Sequence, residues 1–180
     1  MQESYIFLVT GFEEIEALAT VDILRRGGVV VKSVSLTDSR VVTGKHSVPV
    51  TADMMFHEVD FSRAEMIILP GGTVKINDHD GLRQAILSHV NSGKKVGAIC
   101  AAPMVLGGLG LLKGKRATCY PGMETYLSGA SLHTQEAVVT DGLITTGRGP
   151  GLTLEFALTL LSQLKGQAIA DEVARQLLLQ

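Results

Sequence analysis

The residue with the most chemistry behind it is Cys100. It follows the apolar run Val96-Gly97-Ala98-Ile99 without a loop, and Ala101-Ala102-Pro103 come next. A strand that runs straight into a helix through one residue exposes that residue's side chain, which is the layout of a nucleophile elbow. Proline is accepted in a helix's first turn, where its missing N–H costs little. A thiol there faces the positive end of a helix, which is expected to lower its pKa and raise its thiolate fraction. The N–H groups of the same turn could hold a developing oxyanion. A buried cysteine acting as a small apolar side chain is the simpler alternative, and both readings stay open.

Carboxylates supply the second group. Glu13, Glu14 and Glu16 open an expected helix. Acidic residues in a first turn usually just complement the helix dipole. Glu16, one turn in, could instead point toward the thiol. A carboxylate there would have a raised pKa, because burial and a neighbouring negative charge both disfavour ionisation. It could then donate to the sulfur or shuttle protons. Gly71-Gly72 allows a close backbone approach to the site, or marks a plain turn. Arg148 could hold an anion or brace its loop, and bracing is the simpler reading.

Other signals fail. Asp78, Asp80 and Gly81 do not make a calcium loop, since Ile76 and Leu87 would occupy ligand positions. They are expected to cap the next helix. No Cys or His spacing suits zinc, so no metal or cofactor is expected. His57 and His89 read as structural. Cys119 could resolve an oxidised Cys100, but a packed thiol is the simpler role.

The elements that must position these groups follow from the hydrophobic pattern. Strands are expected at 5–9, 29–36, 66–69 and 95–99, with a short one at 117–119. Helices are expected at 14–26, 82–90, 101–109, 151–164 and 167–178. Residues 41–43 and 48–51 read as a hairpin with Pro49 at an edge. A second hairpin, 137–140 with 143–146, turns at Asp141-Gly142. Strand–helix alternation implies a mostly parallel sheet with helices on both faces, an α/β class. In such sheets the site lies beyond the C-terminal strand ends, so the loops after Val9, Leu69 and Ile99 should meet.

The chain of 180 residues fits one domain, spanning 1–180. Its 46% apolar and 19% charged residues exclude a disordered chain. A net charge of −2 gives no basic footprint for nucleic acid. Aromatic residues at 4% argue against a stacking surface. The apolar run 98–112 is too short and too rich in glycine to cross a membrane. Glu3 and the lack of an early basic stretch argue against a secretory leader. Two cysteines make no disulfide framework and suit a reducing, cytoplasmic setting.

Four motifs then stand in order: Gly11-Phe12-Glu13-Glu14-Ile15-Glu16, Leu69-Pro70-Gly71-Gly72, Ala98-Ile99-Cys100-Ala101-Ala102-Pro103 and Arg148-Gly149-Pro150-Gly151. Together they resemble the ThiJ/PfpI superfamily, closest to its DJ-one branch, over about residues 5–178. The resemblance implies a flavodoxin-like three-layer sandwich, usually a homodimer, with Cys100 as the oxidisable elbow cysteine. It implies a protonated Glu16 bonded to that sulfur and oxyanion N–H donors at Gly72 and Ala101. It places Tyr120, before Pro121, where the branch carries a histidine. His46 stands in for an arginine offered across the dimer, and Arg25-Arg26 matches a basic pair, putting Arg26 with Arg148 at the site's periphery. Ala101 after the cysteine, where peptidase-like members have histidine, argues against a Cys-His protease.

The expected activity is therefore a cysteine-dependent reaction on small reactive carbonyls such as methylglyoxal, or on their early glycation adducts. That is a glutathione-independent glyoxalase or a deglycase. The alternative is an oxidative-stress sensor or redox-regulated chaperone that uses Cys100 oxidation without turnover.

Overall fold

The computed structural model describes residues 2–179. In chain order its main elements are β1 (Glu3–Leu8), α1 (Glu14–Arg26), β2 (Val31–Ser35), β3 (Val41–Thr43), β4 (Pro49–Thr51), β5 (Met54–Met55) and β6 (Ala64–Leu69). There follow α2 (Asp80–Asn91), β7 (Lys95–Ile99), α3 (Pro103–Gly108), β8 (Arg116–Ala117), β9 (Ser131–Leu132), β10 (Val138–Asp141), β11 (Ile144–Gly147), α4 (Thr153–Lys165) and α5 (Gln167–Gln176).

Seven strands make one sheet, ordered β10-β11-β7-β6-β1-β2-β5. Every neighbouring pair is parallel except the β10-β11 hairpin. Buried parallel strands read as continuous apolar runs because both faces are covered. β1 shows this: successive side chains point to opposite faces. Tyr5 and Phe7 join Leu82 and Ile86 of α2 and Leu106 of α3. Ile6 and Leu8 join Leu24 of α1 and Phe156 and Leu160 of α4. The result is the expected flavodoxin-like three-layer α/β sandwich.

The differences from expectation are local. β1 begins at Glu3 rather than residue 5, because the Glu3 carboxylate is held by the Tyr5 hydroxyl at 2.7 Å and by Arg63 at 2.9 Å. β3 and β4 pair with each other alone, so Pro49 closes a separate two-stranded ribbon. The expected strand at 117–119 is β8, which ends at Ala117 and pairs with β9. α2 is capped by His79, whose Nδ1 accepts from the Leu82 N–H at 3.0 Å, rather than by Asp78 or Asp80. The helix after Ile99 begins at Pro103, not at 101. Cys100 therefore sits in the turn itself.

The chain leaves β1 for β2 on one side and later returns to β6 on the other. That reversal puts a crevice beyond the C-terminal ends of β1, β6 and β7. Among the described residues, no helix is long and apolar enough to cross a membrane.

Candidate active site

Cys100 has φ +66°, a left-handed conformation that non-glycine residues rarely adopt. The surrounding backbone holds it there. Its N–H donates to the Gly147 carbonyl at 2.9 Å, and its carbonyl accepts from the Tyr120 N–H at 2.9 Å. Strain of this kind persists where neighbouring structure over-determines the conformation, and it aims the side chain into the crevice.

The backbone N–H groups of Ala101 and Gly72 face the Cys100 sulfur and favour its thiolate form. Gly71 admits this arrangement because it has no Cβ. A methyl there would stand 2.7 Å from the Cys100 Cβ and 2.9 Å from Glu16 Oε2. The Gly71 N–H donates to that Oε2 at 2.7 Å, and the Gly71 carbonyl accepts from the Glu13 N–H at 3.0 Å. The loops after β1, β6 and β7 thus meet as expected.

Glu16 is fully buried. Its second oxygen, Oε1, has no conventional hydrogen-bond partner, although the carboxyl interacts with the Cys100 thiol. Burial lifts its pKa to about 7, against lowering by the Gly71 N–H and the thiol. Glu16 is therefore poised between acid and base near neutrality. Glu13, just before α1, caps that helix by accepting the Glu16 N–H at 2.8 Å.

The thiol itself departs from expectation. Burial raises it to about 12, and the nearby Glu16 charge adds to the rise. The N–H groups of Ala101 and Gly72 pull the other way and lose. A group almost enclosed by protein loses more by desolvation than one short helix returns. Cys100 thus keeps its proton until a neighbour takes it.

A cavity of about 380 Å³ opens onto the sulfur, lined by Glu13, Lys45, His46, Gly72, Ala101, Tyr120, Met123 and Pro150. His46 reaches the site from the β3-β4 ribbon, whose tip docks on the start of α1. The Lys45 N–H donates to the Phe12 carbonyl at 2.8 Å, and Glu14 accepts from the His46 N–H at 2.7 Å. Glu13, Glu14 and His46 bring possible metal-ligating atoms within 4.8 Å of one another. Both Glu14 oxygens are engaged by His46, its Nδ1 included at 3.0 Å, so the cluster is satisfied without an ion.

Residues 3–163 match the model of the DJ-1/PfpI family. This chain belongs to the DJ-1/PfpI family. It is 33% identical to protein dj-1beta of Drosophila melanogaster over 181 residues, covering 98% of this chain and 97% of that one. The crystal structure of Drosophila DJ-1beta superposes with a TM-score of 0.95 over the whole of both chains. Protein DJ-1 homolog A of Arabidopsis thaliana is 38% identical over 94% of this chain. The chain spans only 44% of that plant protein's length. A Caenorhabditis elegans relative named glutathione-independent glyoxalase DJR-1.2 is 31% identical, over 93% of this chain and 90% of its own.

Against this DJ-1/PfpI frame, the structure gathers Cys100, Glu16, Gly72, Ala101, Tyr120 and His46 at one place. It does not bring Arg26 there. Arg26 ends α1 at the opposite end of the sheet and pairs with Asp22 at 2.7 Å. Arg148 lines a pocket beside the cavity. Its N–H ties the loop to the Ala137 carbonyl at 2.9 Å, while its side chain has no hydrogen-bond or ion-pair partner among the described residues. Cys119 packs into the cluster on the other side of the sheet, away from the Cys100 side chain's own cluster. Sequence reasoning missed Lys45 and Met123. Lys45 adjoins His46 at the ribbon tip, and a lysine at a turn usually signals only solvent.

Proposed function

We propose that the chain converts small α-oxoaldehydes such as methylglyoxal to hydroxy acids without glutathione. The observation that carries the reading is the pair of Glu16 and Cys100 at the strained turn, with two N–H groups on the sulfur's side. A thiol with so high a pKa attacks only when a base removes its proton during attack. Glu16, with its pKa near neutral, supplies that base.

The steps balance. Sulfur adds to the aldehyde carbon while Glu16 takes the thiol proton, and the oxyanion forms beside the Gly72 and Ala101 N–H groups. Glu16 returns its proton to that oxygen, giving the hemithioacetal. The carboxylate next removes the proton on the same carbon, and the electron pair moves to the ketone as an enediol. Proton return to the adjacent carbon gives the thioester of lactate. Water cleaves the thioester, releasing lactate and the free thiol. Methylglyoxal plus water thus equals lactate. Early adducts of such aldehydes on thiols and amines form a second substrate class for the same attack.

The glyoxalase name of the C. elegans relative supports this reading. We further propose a homodimer in a reducing compartment, where both thiols stay free.

The test is lactate formation from methylglyoxal with no glutathione present. Wild type should turn over. Cys100→Ser and Glu16→Gln should each lose about 10²-fold or more, the usual scale for a lost nucleophile or general base. A folded wild type with a reduced thiol and no turnover would replace this reading with the redox-sensor one.

A further inference from the structure

Arg148 is the unusual cation of this molecule. Each of the other seven arginines has a side-chain partner: Arg25 with Asp53, Arg26 with Asp22, Arg40 with Glu58, Arg63 with Glu3, Arg83 with Asn77, Arg116 with the Thr140 carbonyl and Arg175 with Glu172. Among the described arginines, Arg148 alone makes no side-chain hydrogen bond or ion pair, although it is half-buried. A guanidinium carries five donors and cannot shed its charge, so leaving it partly buried and unpaired is costly without a ligand.

Its position is fixed. Arg148 directly follows β11, and its N–H donates to the Ala137 carbonyl at 2.9 Å. It lines a pocket of about 270 Å³ with Tyr120, Pro121, Gly149, Pro150 and Leu152. Arg148 is the one charged residue of that lining; the rest is apolar apart from the Tyr120 hydroxyl. Tyr120 and Pro150 belong equally to the Cys100 cavity. The Tyr120 ring stands over Gly149, where a Cβ would approach it to 3.2 Å. The half-exposed Tyr120 ring therefore borders both the cavity of the reacting sulfur and the pocket of the unpaired guanidinium. No carboxylate of the chain lines the second pocket, whereas Glu13 lines the first.

We infer that the Arg148 pocket is a second subsite, which takes the carboxylate of an α-oxoaldehyde bearing a short acidic tail. This rests on the carbonyl-enzyme reading and names its substrate class. The aldehyde lies at Cys100, the tail passes Tyr120 and Pro150, and the carboxylate meets the guanidinium fork, whose geometry fits it bidentately. Arg148 is then a specificity residue; it takes no part in the proton transfers.

The test separates binding from turnover. Levulinate is a keto acid with no aldehyde, and its methyl ester is the neutral counterpart; both are titrated calorimetrically into the wild-type chain. Levulinate should bind at least about tenfold more tightly, the scale of a charge-assisted pair. Arg148→Gln should erase the difference, and Arg148→Lys should keep part of it. The preference should persist in Lys45→Gln, which removes the cation of the first cavity. In parallel, γ,δ-dioxovalerate should be turned over with a lower KM than its methyl ester, and only while Arg148 is present. Equal binding of acid and ester by wild type, or a preference that survives Arg148→Gln, overturns the subsite. A wild type that binds levulinate through Arg148 but turns over no α-oxoaldehyde keeps the subsite and overturns the enzyme reading.

Discussion

At the scale of single residues, Glu16 makes a prediction about stability as well as chemistry. Burial holds its carboxyl near 7, above the ordinary 4.5. Between those values the folded chain keeps a proton that the unfolded chain has released. Stability therefore falls as pH rises from about 4.5 through about 7, since it falls wherever the folded state binds more protons. Glutamine cannot ionise and still offers an oxygen to the Gly71 N–H. The stability of Glu16→Gln relative to wild type should thus improve by up to about 3 kcal/mol between pH ~4 and pH ~8, from the size of the shift. Urea melts across that range measure it. A gap that stays flat would mean that Glu16 is ionised in the folded chain. The same ionisation should make methylglyoxal turnover by wild type climb as pH passes about 7, because only the carboxylate can take the thiol's proton.

At the scale of elements, the site depends on how closely the turn after β6 approaches the turn after β7. Gly71→Ala places a methyl 2.7 Å from the Cys100 Cβ and 2.9 Å from the Ala101 nitrogen. One of them must move, and overpacking of this kind costs roughly 1–3 kcal/mol. Turnover should fall further than stability, since the two turns carry the sulfur and both N–H groups. Gly108→Ala, whose Cβ would meet only the Arg83 guanidinium at 3.8 Å, is the control and should change melting by no more than about 0.5 kcal/mol. If the Gly71 variant keeps full turnover, the close approach is not what positions the sulfur. The elements themselves were legible because buried parallel strands announce themselves as apolar runs, and because Ile99-Cys100-Ala101 leaves no room for a loop. β5 and β9 were not legible: two residues have no period, and their pairing is decided by their neighbours. The thiol's burial was equally hidden. It depends on Glu16, Gly71 and Tyr120 arriving from three distant segments, while the sequence displays only the helix that follows Cys100.

At the scale of the whole molecule, apolar side chains stand exposed on the two elements that flank the cavity mouth. Ile15 and Leu18 stand 55% and 40% exposed on α1, and Val41 and Val48 stand 52% and 45% exposed on the β3-β4 ribbon. The ribbon is fastened to the start of α1 by Glu14 with His46 and by Gly11 with the Thr43 carbonyl, so the two elements that carry these side chains are neighbours. Single exposed apolar residues need no explanation, but a group of them beside a cavity mouth favours burial by a partner. A second copy meeting the same face across a two-fold axis would cover all four at once. Sedimentation velocity of wild type at micromolar concentration should therefore show two chains, and Ile15→Asp with Leu18→Asp should show one. Lys45 and His46 belong both to this ribbon and to the Cys100 cavity. Separating the copies should then lower methylglyoxal turnover per chain as well as mass, even though neither substituted residue lines the cavity. A wild type that sediments as one chain would remove the partner from the site. A one-chain variant with undiminished turnover would leave the dimer standing and show that each cavity is complete on its own.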